Sequence, residues 1–389
     1  MRSCWLALVV LFLAEAACAG GGGKGESYFR VDVDTDGIRT AENGSVPSKW
    51  DGVLPVLVLE EVVRVGSLEG AEEYLISSPW LQVAVSPDGA VGYLERSPNE
   101  LRIYDEEGLF RFRAGRSGQG PGEWRFSSVL DHAPGLGWAV AASPFRLVLW
   151  DRNGGLLETI GIGTLPRRIL NRMAVTAEGA LWYFADESVT WGTRMGRLIR
   201  ANWRTLEADT VLTARRWRQE QVKDYGLSYS YPQSMSLGPE GRVWTNVSLE
   251  YRIEVFGGSR EERFRVSRAY EPIPDPEHGR EPGESDRPSM MEDYRLIYAG
   301  HHKVLPAIQS LSWVDGSELW VFTSIQTDTA SVQVDVFDPR GKYVRAFSAP
   351  VDLARARAGV AAGHIWWLRT EQDDIPALVR YSYRFEAPR

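Results

Sequence analysis

Six short apolar runs end in an aromatic or aliphatic residue immediately before an Asp, Asn, Gly or Ser, and they recur along almost the whole chain. They occupy residues 101–105, 147–151, 198–202, 251–257, 334–338 and 378–382, and close on Asp105, Asp151, Asn202, Gly257, Asp338 and Ser382. Successive ends are 46, 51, 55, 81 and 44 residues apart. Upstream of most runs a second cue returns: an apolar strand, a tight turn with Gly, then a strand carrying a large aromatic. It leads through Gly89 to Tyr93, through Gly179 to Trp182 and through Gly241 to Trp244. Looser copies precede Trp320 and Trp366, and residues 134–138 stand in its place in the second repeat. Asp-Gly and Glu-Gly turns suit tight hairpins because Gly accepts positive φ. The Trp or Tyr that follows offers a large apolar surface for a neighbouring sheet to bury.

A strand-built repeat of ~40–50 residues is the signature of a β-propeller, with one four-stranded blade per repeat. The expected fold class is therefore all-β, a six-bladed β-propeller over residues 56–385. A ring of blades has two loose ends, and leaving them open exposes a sheet edge. The sixth repeat has little chain left for a fourth strand. Residues 56–65 read as a strand outside the repeats and are the expected supplier, so the ring should be closed by an N-terminal strand. Two stretches interrupt the rhythm: an aromatic and basic insertion at 213–233, and a Pro-, Glu- and Asp-rich one at 271–305 with a short helix expected from Arg287 to Ala299. Tyr and Arg are common in binding surfaces, and equally a few aromatics can simply pin a long loop.

The start of the chain reads as a targeting segment. Arg2 is followed by the apolar stretch 5–13, too short to cross a bilayer, and then by Ala16, Ala17 and Cys18. Two processing routes fit. Cys18 after small residues resembles a bacterial lipoprotein signal and would become the lipidated N-terminus. Alternatively, Ala17-Cys18-Ala19 serves as an ordinary cleavage site. The first route predicts an outer-membrane lipoprotein facing the periplasm or the surface, the second a soluble periplasmic or secreted protein. Residues 20–55, rich in Gly, Ser and Asp, read as a flexible leader. With only Cys4 and Cys18 in the chain, and Cys4 inside the signal, no intrachain disulfide is expected in the mature protein.

The residues 115–124 run Gly115, Arg116, Ser117, Gly118, Gln119, Gly120, Pro121, Gly122, Glu123 and Trp124. This is neither a Walker A loop nor G-x-G-x-x-G, because no Gly-Lys-Ser/Thr closes it and Glu123 falls where the last Gly belongs. It reads as a crossover between blades. It also resembles a G-x-x-G-x-G-P-G-E-aromatic motif of NHL-like six-bladed propellers in bacterial exported proteins, many of them predicted lipoproteins. The resemblance spans roughly residues 50–385. It implies the fold and an extracytoplasmic setting, and carries no catalytic residue over.

Net charge of −8, from 44 basic and 52 acidic residues in a mixed pattern, gives no basic face for nucleic acid. Asp32, Asp34 and Asp36 match the opening of an EF-hand loop, but Asn43 stands where the closing Glu belongs. They are candidate calcium ligands, with an Asp-Gly turn as the competing reading; no other cofactor is expected. Polar residues just before each innermost strand should face the central channel, which makes Gln82, Arg172, Gln233, Gln309 and Arg357 the candidate ligand-binding set. The expected role is a non-enzymatic binding scaffold for a protein, peptide or glycan, anchored to the membrane only through lipid. The alternative is a metal-dependent enzyme of lactonase or lyase type, whose donors would be scattered over several blades.

Overall fold

The structure is a computed structural model, which describes residues 26–66, 71–77, 83–143, 145–165, 169–190, 193–218, 234–246, 249–257, 262–275, 304–355, 358–370 and 376–388. Among them it is almost entirely β, with one short α-helix, Val351–Arg355, and two single 3-10 turns, Glu72–Tyr74 and Pro239–Gly241. The Cys18 anchor, the 287–299 helix and most of the two insertions lie outside the described residues, as do Gln82, Gln233 and Arg357.

The chain opens with β1 (Phe29–Val33), β2 (Arg39–Asn43) and β3 (Val56–Val65). A first four-stranded sheet follows, from β4 (Val83–Val85) through β5 (Val91–Arg96) and β6 (Asn99–Tyr104) to β7 (Phe110–Ala114). The second holds β8 (Phe126–Ala133), β9 (Gly137–Ser143), β10 (Arg146–Asp151) and β11 (Leu156–Gly161). The third holds β12 (Ile169–Val175), β13 (Ala180–Thr190), β14 (Thr193–Asn202) and β15 (Ala208–Arg218). The fourth meander is β16 (Ser234–Leu237), β17 (Val243–Asn246), β18 (Arg252–Phe256) and β19 (Arg263–Arg268). The fifth is β20 (Ile308–Val314), β21 (Glu318–Gln326), β22 (Ser331–Phe337) and β23 (Tyr343–Pro350). Last come β24 (Ala358–Ala361), β25 (His364–Thr370) and β26 (Pro376–Glu386).

Consecutive strands pair antiparallel within each meander, and the first strands touch one another in a cycle: β4, β8, β12, β16, β20, β24 and back to β4. This propeller-like arrangement follows from the repeat, since each meander has two apolar faces and needs a neighbour on both. The recurring aromatics fill those faces. Tyr93, Trp138, Trp182, Trp244, Trp320 and Trp366 are all at most 2% exposed, one on each second strand. Trp138 lies so close to Gly92 of the preceding sheet that a Cβ there would stand 2.7 Å from its ring. The Trp366 indole donates to the Gly89 carbonyl at 2.9 Å, joining the last meander to the first.

The strand expected at 56–65 is present. β3 runs antiparallel to β26, from Leu378↔Val65 to Glu386↔Val56, and meets β23 at Ser348↔Val56.

The leader differs from expectation. Residues 26–55 hold β1 and β2, and β2 lies parallel to β19, from Phe264↔Arg39 to Arg268↔Asn43. Asn43, a leader residue by composition, is 1% exposed. Its amide donates to the Ser267 and Gly341 carbonyls at 3.0 and 2.9 Å and accepts the Tyr343 N–H at 2.8 Å. Short polar segments look like linkers in sequence because their strand pairing is supplied by a partner far along the chain.

The Gly-rich stretch connects β7 to β8 and staples itself. The Glu123 carboxylate accepts the Gly120 N–H at 2.8 Å and pairs with Arg116, while Arg146 donates to the Gly120 and Glu123 carbonyls. Gly115, at φ +82, lies under the Trp124 ring, where a Cβ would overlap it. The loop is a structural crossover whose polar groups bond mostly to one another.

Candidate functional site

The six inner strands enclose a cavity of about 500 Å³, which opens among the turns that follow them, at Pro87, Pro134, Pro239 and Asp315. Its wall is uneven. β4 and β24 contribute Val83, Ala84, Val85, Ala358, Gly359 and Val360, a side that is apolar and uncharged among the described residues. β8 and β12 contribute Asp131, His132 and Arg172. Ser310 and Ser312 of β20 stand across the ring from β8.

Of the sequence-derived set, Arg172 lines this cavity. Its side chain is accessible to solvent, yet the solvent it meets is the confined volume inside the ring. No hydrogen bond or ion pair joins its guanidinium to another described residue. Loss of bulk water pulls its pKa down, and the more distant Asp131 charge opposes that only in part. Gln309 sits on β20, but its amide donates to Ser324 Oγ at 3.2 Å and its neighbours Ser310 and Ser312 line the cavity.

Asp131 and His132 escaped the sequence reading. They sit at the end of β8, in the second repeat, where the turn cue is replaced by Pro134, Gly135 and Gly137, so the inner strand was not aligned with its counterparts. The available signal was the pair of polar residues closing an apolar strand: Val129 and Leu130 are buried and Asp131 and His132 are half-buried after them. Asp131 Oδ2 accepts the Val175 N–H of β12 at 3.0 Å. Enclosure by the ring pushes its carboxyl up from 3.8 to about 7; that hydrogen bond and the Arg172 charge act the other way and are smaller. His132 is held down to about 4, again by desolvation, with Asp88 opposing. Its ring packs edge-on against Trp138 at 5.1 Å. At neutral pH the histidine is thus uncharged, and Asp131 shares its population between acid and carboxylate.

The calcium candidates lie in the β1–β2 turn, remote in sequence from every cavity strand. Asp34 Oδ1 accepts the Asp36 and Ile38 N–H groups at 3.0 and 2.8 Å, and Oδ2 pairs with Arg265 at 2.7 Å. Asp32 pairs with Arg30 at 3.3 Å. The Asp34 carboxylate is committed to a hairpin turn and to β19. Among the described residues no three His, Cys, Asp or Glu side chains converge as a metal site.

No protein-family model matches this chain, and no curated protein matches it. Solved structures resemble it at low similarity. A member of the DUF4221 family from Bacteroides vulgatus is 10% identical, with a TM-score of 0.49 over 86% of this chain and 99% of that one. Virginiamycin B lyase from Staphylococcus aureus, in a catalytically inactive form with quinupristin, is 12% identical, with a TM-score of 0.38 over 92% and 98%. Regucalcin, a calcium-binding protein from Agrobacterium tumefaciens, is 13% identical, with a TM-score of 0.38 over 84% and 96%. At these scores the likenesses carry no inference about activity or ligand.

Proposed function

We propose that the chain is an exported six-bladed β-propeller of NHL-like type, closed by β3 as the outer strand of its last blade, that works as a non-enzymatic binding scaffold. Six meanders in cyclic contact and the long β3–β26 pairing support the blade count and the closure. The segment at 1–19 supports export, and Cys18 a lipid anchor in the outer membrane. Among the described residues no helix is long and apolar enough to cross a membrane. The ligand, a protein, peptide or glycan, engages the central cavity.

One observation carries the binding role: a cationic side chain stands in a 500 Å³ cavity with no anion among the described residues bonded to it. Folding gains no ion pair from such an arrangement. A ligand with a negative group would supply one. The lactonase or lyase alternative would need metal donors from outside the described residues.

The test is a thermal-shift screen of the purified chain against peptides and oligosaccharides, with and without a chelator. Ser312→Phe, which fills the cavity from β20, should remove the shift produced by any true ligand. Lactone hydrolysis that disappears on chelation would establish the enzyme instead. The anchor is tested separately: Cys18→Ser should move the protein from the membrane to the soluble fraction, since each buried acyl CH₂ contributes ~0.8 kcal/mol. Unchanged fractionation, with a mature start at Gly20, would show ordinary cleavage.

A further inference from the structure

The cavity is polarised across its diameter, and that asymmetry narrows what can occupy it. In the cycle of inner strands β24 lies opposite β12, so the uncharged Ala358, Gly359 and Val360 face the Arg172 side. β4, beside β24 and β8, adds Val83 and Val85 to the apolar arc. A neutral sugar would leave Arg172 without an anion and set hydroxyls against this arc. A phosphate or another strongly charged group would bring more negative charge beside Asp131 than one guanidinium balances. A single carboxylate on an apolar body satisfies both sides. The size is right as well, since pockets of ~300–1,000 Å³ enclose small organic ligands or the last residues of a peptide.

We propose that the cavity selects a carboxylate carried on an apolar body, its oxygens held by the Arg172 guanidinium and the Asp131 carboxyl while the body lies against β4 and β24. The proposal rests on the channel-binding reading above and names the ligand class for that site. Arg is suited to the task because its planar fork meets both carboxylate oxygens. Asp131 contributes only in its acid form, when its O–H can donate to the ligand; once ionised it repels the same group. Among the described residues the charge that acts on Asp131 is Arg172 on β12; His132 follows it on β8 and feels Asp88 of the β4–β5 turn, and Asp315 lines the cavity beyond β20. His132 is neutral over most of the accessible range, so Asp131 sets the pH response. Its carboxyl is raised to about 7, which makes binding strongest below that pH and weaker above it.

The experiment uses calorimetry and tryptophan fluorescence on the whole mature chain. The probes are 4-phenylbutyrate, its neutral amide, and a short peptide ending in Phe with either a free or an amidated C-terminus. Both acids, or one of them, should bind and the amides should not; which acid binds better separates a free organic acid from a peptide end as the source. Arg172→Gln should weaken binding at least about tenfold, as expected for a charge-assisted pair, and Arg172→Lys should restore part of it. Asp131→Asn, which keeps an acceptor for the Val175 N–H and gains a donor, should retain binding and remove its decline above neutral pH. Equal affinity for acid and amide overturns the proposal, as does unchanged binding in Arg172→Gln or no acid binding at millimolar concentration. Maltotriose serves as a neutral probe to tell this failure from that of the channel reading. Neutral ligands lost in Ser312→Phe but kept in Arg172→Gln would overturn the carboxylate alone. Ligands indifferent to Ser312→Phe would overturn the channel itself. Circular dichroism melts on each variant establish that the fold survives.

Discussion

Two arginines in this molecule meet opposite surroundings: one is buried against a carboxylate, the other is solvent-accessible within the central cavity. Arg268, at the end of β19, is 9% exposed and donates to Asp335 of β22 at 2.5 Å. The same carboxylate accepts the Tyr251 and Tyr343 hydroxyls at 2.6 and 2.7 Å and the Gln333 amide at 2.7 Å. The Arg268 guanidinium also lies 5.1 Å from both tyrosine rings. Burial pulls its pKa down, but the Asp335 charge and hydrogen bond and the two tyrosines together outweigh that and the net shift is upward; those of the two tyrosines rise through burial and the nearby carboxylate. Arg172, in the cavity, has no such partner among the described residues, and its pKa is shifted downward. A paired and hydrogen-bonded charge belongs to the architecture, here the junction between the fourth and fifth meanders. An unpaired one facing a cavity is better explained by something outside the chain.

The largest effect that would break this contrast comes from the N-terminal strands. Deleting residues 26–45 removes Asn43 and uncovers β19 beside the Arg268 junction. The truncated protein should aggregate on an open strand edge, read by light scattering and size exclusion. A soluble product of native stability would show that the junction needs no cover. Next, Asp335→Ala leaves Arg268 buried without its anion and should cost ~3–5 kcal/mol in urea unfolding. Arg172→Gln should leave the unfolding midpoint unchanged or raise it. Equal losses in the two variants would make Arg172 a structural residue and end its role as a ligand contact.

The smallest effect sharpens the picture of the cavity through pH. The folded state holds Asp131 protonated to about 7 where the free group ionises near 3.8, so its contribution to stability is lost as pH rises through that window. His132 does the reverse. It is kept neutral down to about 4 against an ordinary 6.5, so its contribution is present above 6.5 and lost as pH falls. Between about 4 and 6.5 the two slopes oppose each other. Asp131→Asn should therefore make stability rise with pH across this range relative to the parent, and His132→Gln should make it fall. Urea midpoints taken at several pH values check both signs; parallel curves for the two variants would mean that neither group is shifted as described.

The periodic features were legible in the sequence. The turn glycines and the Trp or Tyr after them announced the meanders, because a sheet with two buried faces needs a large apolar residue at the same point in every repeat. The strand at 56–65 was equally plain, since ten mostly apolar residues outside the repeats need a partner. The role of residues 26–45 was hidden. β2 carries no apolar pattern, and although Phe29, Val31 and Val33 alternate along β1, what orders the pair is β19, Gly341 and Tyr343, more than two hundred residues away.

Arg172 could be placed at the channel by counting positions from the repeat, whereas Asp131 and His132 could not, because their repeat has a degenerate turn. Local patterning thus determined which segments are strands and how often they recur. Whether a charge is satisfied depends on which distant strand arrives beside it. Asp335 beside Arg268, the lack of an anion for Arg172 among the described residues and the raised carboxyl of Asp131 were decided only when distant strands came together.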